Sequence, residues 1–126
     1  MKIKNIFDIA GRAMAAQMVR LNTISSNLAN AGATTGDPET VYKPLKPEFK
    51  TQYSENVKKN GISTVNVSKV VELQKEPFKI FDPNHPLADG DGYIYKAPIN
   101  VEEEMVDMMD ASRQYQNNIE VVTLSL

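Results

Sequence analysis

The chain has 126 residues, no cysteine, no tryptophan and a formal net charge of -2. Its length holds one domain, or one with a small insert, and the lack of cysteine rules out structural disulfides and thiolate metal sites. The charge argues against nucleic acid, which selects a basic face, and no segment approaches the roughly 18 apolar residues of a membrane span.

The first element is an amphipathic helix. Apolar residues recur at Phe7, Ala10, Met14, Met18, Leu21, Ile24 and Leu28, in steps of three and four that put them on one helix face. The spacing predicts a helix from Ile6 to Leu28, about 36 Å long. Gln17 is the one polar residue in the stripe, and Arg12 and Arg20 fall on the far side. Asn5 with Asp8 is the expected N-cap pair, and Gly32, in the left-handed conformation, the expected stop. Lys2 and Lys4 followed by Ala13-Met14-Ala15 have the outline of a secretory signal, but Asn5, Asp8 and Arg12 break its apolar region. No cleaved signal peptide is expected.

Residues 31–48 read as an extended loop rich in Pro, Gly and Thr, with a turn at Gly36-Asp37-Pro38 and no helix past Pro44 and Pro47. From 49 to 99 the pattern turns to β. Ile62, Val65, Val67, Val70 and Val71, opened by Asn60-Gly61, predict a strand over 62–74. Phe78–Phe81 and Tyr93–Tyr95 predict two short strands, separated by Asp82-Pro83-Asn84-His85-Pro86 and by a tight turn at Asp89-Gly90-Asp91-Gly92. A sheet of three or four such strands needs support from elsewhere.

Residues 100–126 predict a second long helix. Val101, Met105, Met108, Ser112, Tyr115, Ile119, Val122 and Leu126 form a heptad seam. Asn100 is the expected N-cap with Glu103 as its capping-box partner, and Glu102 to Glu104 suit the positive end of the helix dipole. The two terminal helices are natural partners for each other or for neighbouring copies, and Ala10, Ala13, Ala15 and Ala16 allow close approach. The expected class is α+β: residues 1–30 and 100–126 pair in a coiled-coil-like manner, with a small β-rich insert between them.

Catalytic or metal chemistry finds little support. His85 is the single histidine and has no spaced ligand set around it, so it reads as a turn residue. Asp89, Asp91 and Gly92 match part of a calcium loop without its closing Glu. Gly90 and Gly92 are not followed by the Lys and Ser/Thr of a phosphate loop. Met105, Met108 and Met109 read as helix-interface filler. No enzyme, cofactor, metal or small-molecule substrate is expected.

Three stretches together resemble the flagellar rod, hook and filament-joining family of bacterial axial proteins. They are NIFDIAG from Asn5 with SSNLANA from Ser25, NHPLAD from Asn84 ending in Gly92-Tyr93, and EMVDMMDASRQYQNNIEV from Glu104. The family motif falls here on Ser26, Asn27, Leu28, Ala29 and Asn30, with Tyr42 displaced from it by an insertion typical of the proximal rod subgroup. At the other end Thr123-Leu-Ser-Leu126 follows Val121-Val122 at once, where family members carry roughly ten further residues, two to three helical turns.

The resemblance implies a proximal rod subunit that helps transmit motor torque. It also implies unfolded export through the flagellar type III apparatus and helical stacking into a periplasmic tube with copies of itself and other rod proteins. At the base it implies contact with proteins joining the export apparatus to the MS ring. The subunit contacts would be the helix seams: Phe7, Met14, Met18, Leu21, Ile24 and Leu28 on the first helix, and Val101, Met105, Met108, Tyr115, Ile119 and Val122 on the last. Two other classes stay open on the residues alone: a soluble two-helix adaptor, and a small periplasmic enzyme using His85 with Asp82 or Asp89.

Overall fold

The computed structural model describes residues 3–52 and 64–125. In chain order these form α1 (Ile3–Asn30), β1 (Thr34–Thr35), a 3-10 turn (Pro38–Thr40), β2 (Leu45–Gln52), β3 (Thr64–Glu72), β4 (Phe78–Phe81), β5 (Tyr93–Lys96) and α2 (Val101–Ser125). The expected turn at Asn60-Gly61, the strand start at Ile62, Lys2 and the last seam position Leu126 lie outside the described residues.

The two helices, about 42 Å and 37 Å long at 1.5 Å per residue, make the most extensive contact between any two elements. Asn27 meets Glu104, and Arg20 meets Asp110. Residue numbers rise along one helix as they fall along the other, so the pair is antiparallel. The ends of α1 differ from expectation. Asn5 and Asp8 lie inside the helix rather than at its cap. At the other end Gly92 is the one described residue with positive φ, so Gly32 makes no left-handed stop. Short i→i−3 bonds finish α1 instead: Ala31 N–H donates to the Leu28 carbonyl (3.3 Å) and Ala33 N–H to that of Asn30 (3.2 Å). The N-terminus of α2 is as expected, with Asn100 Oδ1 accepting the Glu103 N–H at 3.1 Å.

The β elements form two sheets rather than one. A three-stranded antiparallel sheet runs β1-β5-β4, and β2 pairs with β3 as a separate antiparallel ribbon that packs on α1. β2 begins inside the stretch read as loop. Pro47 is tolerated there because a two-stranded ribbon is all edge, so the missing donor can face away from the partner strand. A register shift between Glu48 and Phe49 marks a bulge in the ribbon. The segments that leave α1 and enter α2 close on a small core of Val41, Ala97 and Ile99, flanked by Ala31, Tyr42 and Tyr95.

The turn into β5 depends on one glycine. Gly92 has φ +86°, and a Cβ there would lie 2.9 Å from the Phe81 ring and 3.1 Å from Pro83. By contrast a Cβ at Gly11, on the exposed side of α1, would meet nothing within 4 Å. Gly92→Ala should therefore lower stability by about 1–3 kcal/mol through backbone strain. Gly11→Ala should raise it by up to about 1 kcal/mol through helix propensity. Urea unfolding of the two variants checks both signs.

Candidate functional site

The side of α1 that packs inward is small and polar. Ala16, Thr23 and Asn27 are buried, and the Arg20 side chain is only 23% exposed. Arg20, expected on the far side, reaches across to α2, where Nη1 lies 2.9 Å from Asp110 Oδ2 and Nη2 lies 3.8 Å from Asp107 Oδ1. Hydropathy could not reveal this row, because Ala, Arg, Thr and Asn carry no apolar signal. The available clue was charge: Arg20 on one helix against Asp107 and Asp110, three apart, on the other.

Asn27, 3% exposed, joins three parts of the fold. Its Oδ1 accepts the Leu45 N–H (2.8 Å) and the Tyr42 hydroxyl (2.9 Å), and its Nδ2 donates to the Leu45 carbonyl (3.0 Å). The side-chain amide thus pairs with a residue backbone as a neighbouring strand would. Since the Tyr42 proton is committed to Asn27, Ser26 Oγ must donate to Tyr42 Oη, 2.8 Å away. The second Nδ2 proton faces the Glu104 carboxylate, with both oxygens at 3.5 Å. Burial raises the Glu104 pKa, and the Asn27 amide partly opposes that shift; Asp107 and Glu103 raise it further and Lys75 lowers it.

Three successive residues of α1 sort three directions. Ser26 faces Tyr42, Asn27 lies between ribbon and α2, and Leu28 comes one step later. One residue step turns a helix about 100°. The apolar stripes sit one such step past the contacting residues on both helices: Leu21 after Arg20, Leu28 after Asn27, and Met105 after Glu104. Equal turns in the same sense on facing antiparallel helices lead to the same side of the pair. That side carries Leu21 and Leu28, with Phe7 and Met14 toward its outer margin, all half-buried; Met18, 42% exposed, stands two steps before Arg20, on the side of α1 away from α2. The shared side also carries Val101, Met105 and Ile119 at 42%, 54% and 41%. Ile24 is buried, Met108, Tyr115 and Val122 are half-buried, and Ala111, which sequence reading passed over, is fully buried on α2. In the family motif Ala29 is exposed, and Asn30 Nδ2 donates back to the Ser26 carbonyl at 2.8 Å.

The candidate catalytic groups are engaged in turns. His85 Nδ1 accepts the Leu87 N–H at 3.0 Å. Asp89 accepts from the Tyr93 and Asp91 N–H groups (2.9 and 3.0 Å) and the Tyr95 hydroxyl (3.3 Å). The Tyr93 N–H is the main cause of its lowered pKa. No helix among the described residues is long and apolar enough to cross a membrane.

Comparison with known proteins assigns this helix pair to a class. The family model for flagella basal body rod proteins matches residues 7–36, and that for the C-terminal part of flagellar basal body rod FlgEFG proteins matches residues 91–125. The two matches cover most of α1 and all of α2 and define a flagellar rod protein. Flagellar basal-body rod protein FlgC of Salmonella typhimurium is 43% identical over 122 residues, covering 97% of this chain and 89% of the relative. FlgC of Escherichia coli O157:H7 is 41% identical over the same share, and that of Aquifex aeolicus 38% identical over 99% of this chain and 90% of the relative. The chain belongs to the FlgC family of flagellar basal-body rod proteins.

Two outcomes test the Asn27 junction. Asn27→Ala would leave the Leu45 N–H and C=O without partners and should cost about 2–3 kcal/mol, read by urea unfolding. Glu104 has a folded pKa above its ordinary 4.5, so its contribution is fully present below that value and is lost as pH rises through the raised pKa. Glu104→Gln should therefore match the native chain at low pH, exceed it in stability at neutral pH, and flatten the pH profile between.

Proposed function

We propose that this rod subunit builds the wall of the proximal rod through its two terminal helices, paired as a coiled-coil-like unit, with the β elements directed outward. The chain is a structural subunit of the flagellar basal body, not an enzyme. The finer reading is that it stacks helically with copies of itself and with other rod proteins into the shaft that carries motor torque. At the base it would contact the proteins that join the export apparatus to the MS ring. It would reach the periplasm through the flagellar type III apparatus without losing a signal peptide.

The observation that carries this reading is the bare apolar side of the helix pair. Burying a Met-sized side chain contributes about 1.5–3 kcal/mol, and the exposed part of the stripe, Val101, Met105 and Ile119 above all, gains that only from a neighbour. A two-helix adaptor would also show one bare stripe. The family assignment and the length of both helices favour an extended assembly with repeated, non-closing contacts.

Met105→Asp tests it, because Met105 is 54% exposed in the single subunit. The monomer should keep its thermal midpoint. In the rod the charge would be buried unpaired at a cost of several kcal/mol, so motility and recovery of the protein in basal bodies should be lost. An equal swim diameter for native and variant strains would remove the stripe from the subunit interface.

A further inference from the structure

The three-stranded sheet ends on an open edge. β4 is its outer strand, with β5 on one side and no described strand on the other. The register decides which of its backbone groups are open. Asp82 N–H donates to the Gly92 carbonyl at 2.9 Å, and these two residues stand opposite each other one step beyond the Phe81–Tyr93 pair. Hydrogen-bonded pairs alternate along an antiparallel ladder. Ile80 and Phe78 therefore bond to β5, and Lys79 and Phe81 turn their N–H and C=O away from it. The far side of β5 follows the same alternation: the Tyr93 carbonyl points away from β4 and accepts the Asp89 N–H at 2.9 Å. No described residue pairs with the four outward groups of Lys79 and Phe81. The side chains along the edge are also open, with Phe78, Ile80 and Phe81 50%, 38% and 63% exposed. Natural edges are commonly blunted by Pro, a bulge or charge. β4 has neither Pro nor register shift, and its single charge is Lys79, whose Nζ lies 4.2 Å from the Tyr93 ring centre.

We propose that β4 takes an extended segment of a protein other than this chain as a fourth strand, bonded to the backbone of Lys79 and Phe81, with apolar residues at alternate positions and an acid beside Lys79. The proposal goes beyond the rod reading, which gives the sheet no partner. Unpaired main-chain donors and acceptors two residues apart are matched by another extended strand and by little else. Charge narrows the choice. Around the start of β4, Lys75, Lys79 and Lys96, the last opposite Phe78, outnumber Glu76. A cationic strand would be repelled there and an acidic one attracted. The described strands of this chain do not fit. β1 has two residues, β2 carries Lys46, Lys50 and Pro47, which has no N–H, and β3 sets Lys69 among its valines with Glu72 at its end. Two β4 edges would pair like with like and close at two chains.

Hydrogen exchange tests the edge without any variant. In the isolated chain the Lys79 and Phe81 amides should exchange fast, and the Ile80 amide, bonded to β5, slowly. In intact basal bodies from motile cells the Lys79 and Phe81 amides should slow at least about tenfold. The same fast exchange in both states would overturn the proposal.

A photoreactive benzoylphenylalanine in place of the exposed Phe78 then identifies the occupant in the same basal bodies. Irradiation should give an adduct to a polypeptide of another mass, attached within a segment that carries an acid. An adduct to a second copy of this chain, or none, would overturn the proposal. Lys79→Pro in the photoreactive chain separates backbone pairing from side-chain contact. It removes one outward N–H and spares the β5 ladder, so the thermal midpoint of the isolated chain should hold while adduct yield falls about tenfold. Lys79→Thr, which keeps the N–H, should lower the yield far less. A yield from Lys79→Pro equal to that of the native Lys79 chain would overturn the proposal, and so would a fall in midpoint, which would put the Lys79 N–H in the ladder.

Discussion

The rest of the fold depends on one side-chain amide. Asn27 replaces a strand partner for Leu45, holding both its N–H and its C=O, and through the same group it orients Tyr42 and faces Glu104. A buried amide with these partners can sit only one way round, because the Leu45 backbone supplies one donor and one acceptor. The orientation of α1 about its own axis is thereby tied to the path of the chain into β2. Arg20 makes the equivalent tie to α2, one helical stretch further along. Between them these contacts decide which side of each helix is hidden and which is bare.

The interior they enclose has an unusual size distribution. Its most buried apolar residues include Ala111, Ala97, Ala10 and Ala16, at 0%, 1%, 3% and 3% exposure. Met109, Val106, Phe81 and Leu124 remain 63–87% exposed. A buried methyl contributes about 0.8 kcal/mol and a buried Leu or Met two to four times that. The single subunit therefore draws much of its definition from polar ties and close helix approach. The larger apolar gain is left on surfaces that only another chain can cover. This is the balance expected of a subunit whose stable form is an assembly.

Local signals in the sequence were good guides where one element decides its own structure. The periodicity of α1 and α2, the Asn100 cap and the strand at Phe78–Phe81 are of that kind. Signals misled where a distant partner decides. Pro47 read as loop, yet β2 runs through it from Leu45 because β3 is available across the ribbon. Gly32 read as a left-handed stop, yet i→i−3 bonds end the helix without it. Arg20 read as solvent-facing because the apolar stripe was taken to mark the inward side. In this fold the inward side is centred on Ala16, Arg20, Thr23 and Asn27; of the stripe Ala10 and Ile24 are buried with it, and the rest lies a step around. Hydropathy finds the side of a helix that must eventually be covered, not the chain that covers it.

The polar ties also set the axial position of one helix against the other. Sliding α2 by one turn, about 5.4 Å, would always break one of the two ties: in one direction Asp107 replaces Asp110 beside Arg20 while Asn27 loses Glu104, and in the other Asp107 replaces Glu104 beside Asn27 while Arg20 is brought to Arg113. An apolar seam of evenly spaced Ala and Leu tolerates such a slip, since a similar residue takes each vacated place; a buried Arg or Asn does not. The bare stripes of α1 and α2 are therefore aligned within each subunit before any neighbour is met. A neighbour's fit depends on where Leu21 and Leu28 stand relative to Met105 and Ile119. In a helical wall that alignment repeats from copy to copy, so an error of one turn in one subunit would be passed along the shaft. Groups that contribute little apolar energy to the single chain thus fix the geometry on which the energy of assembly depends.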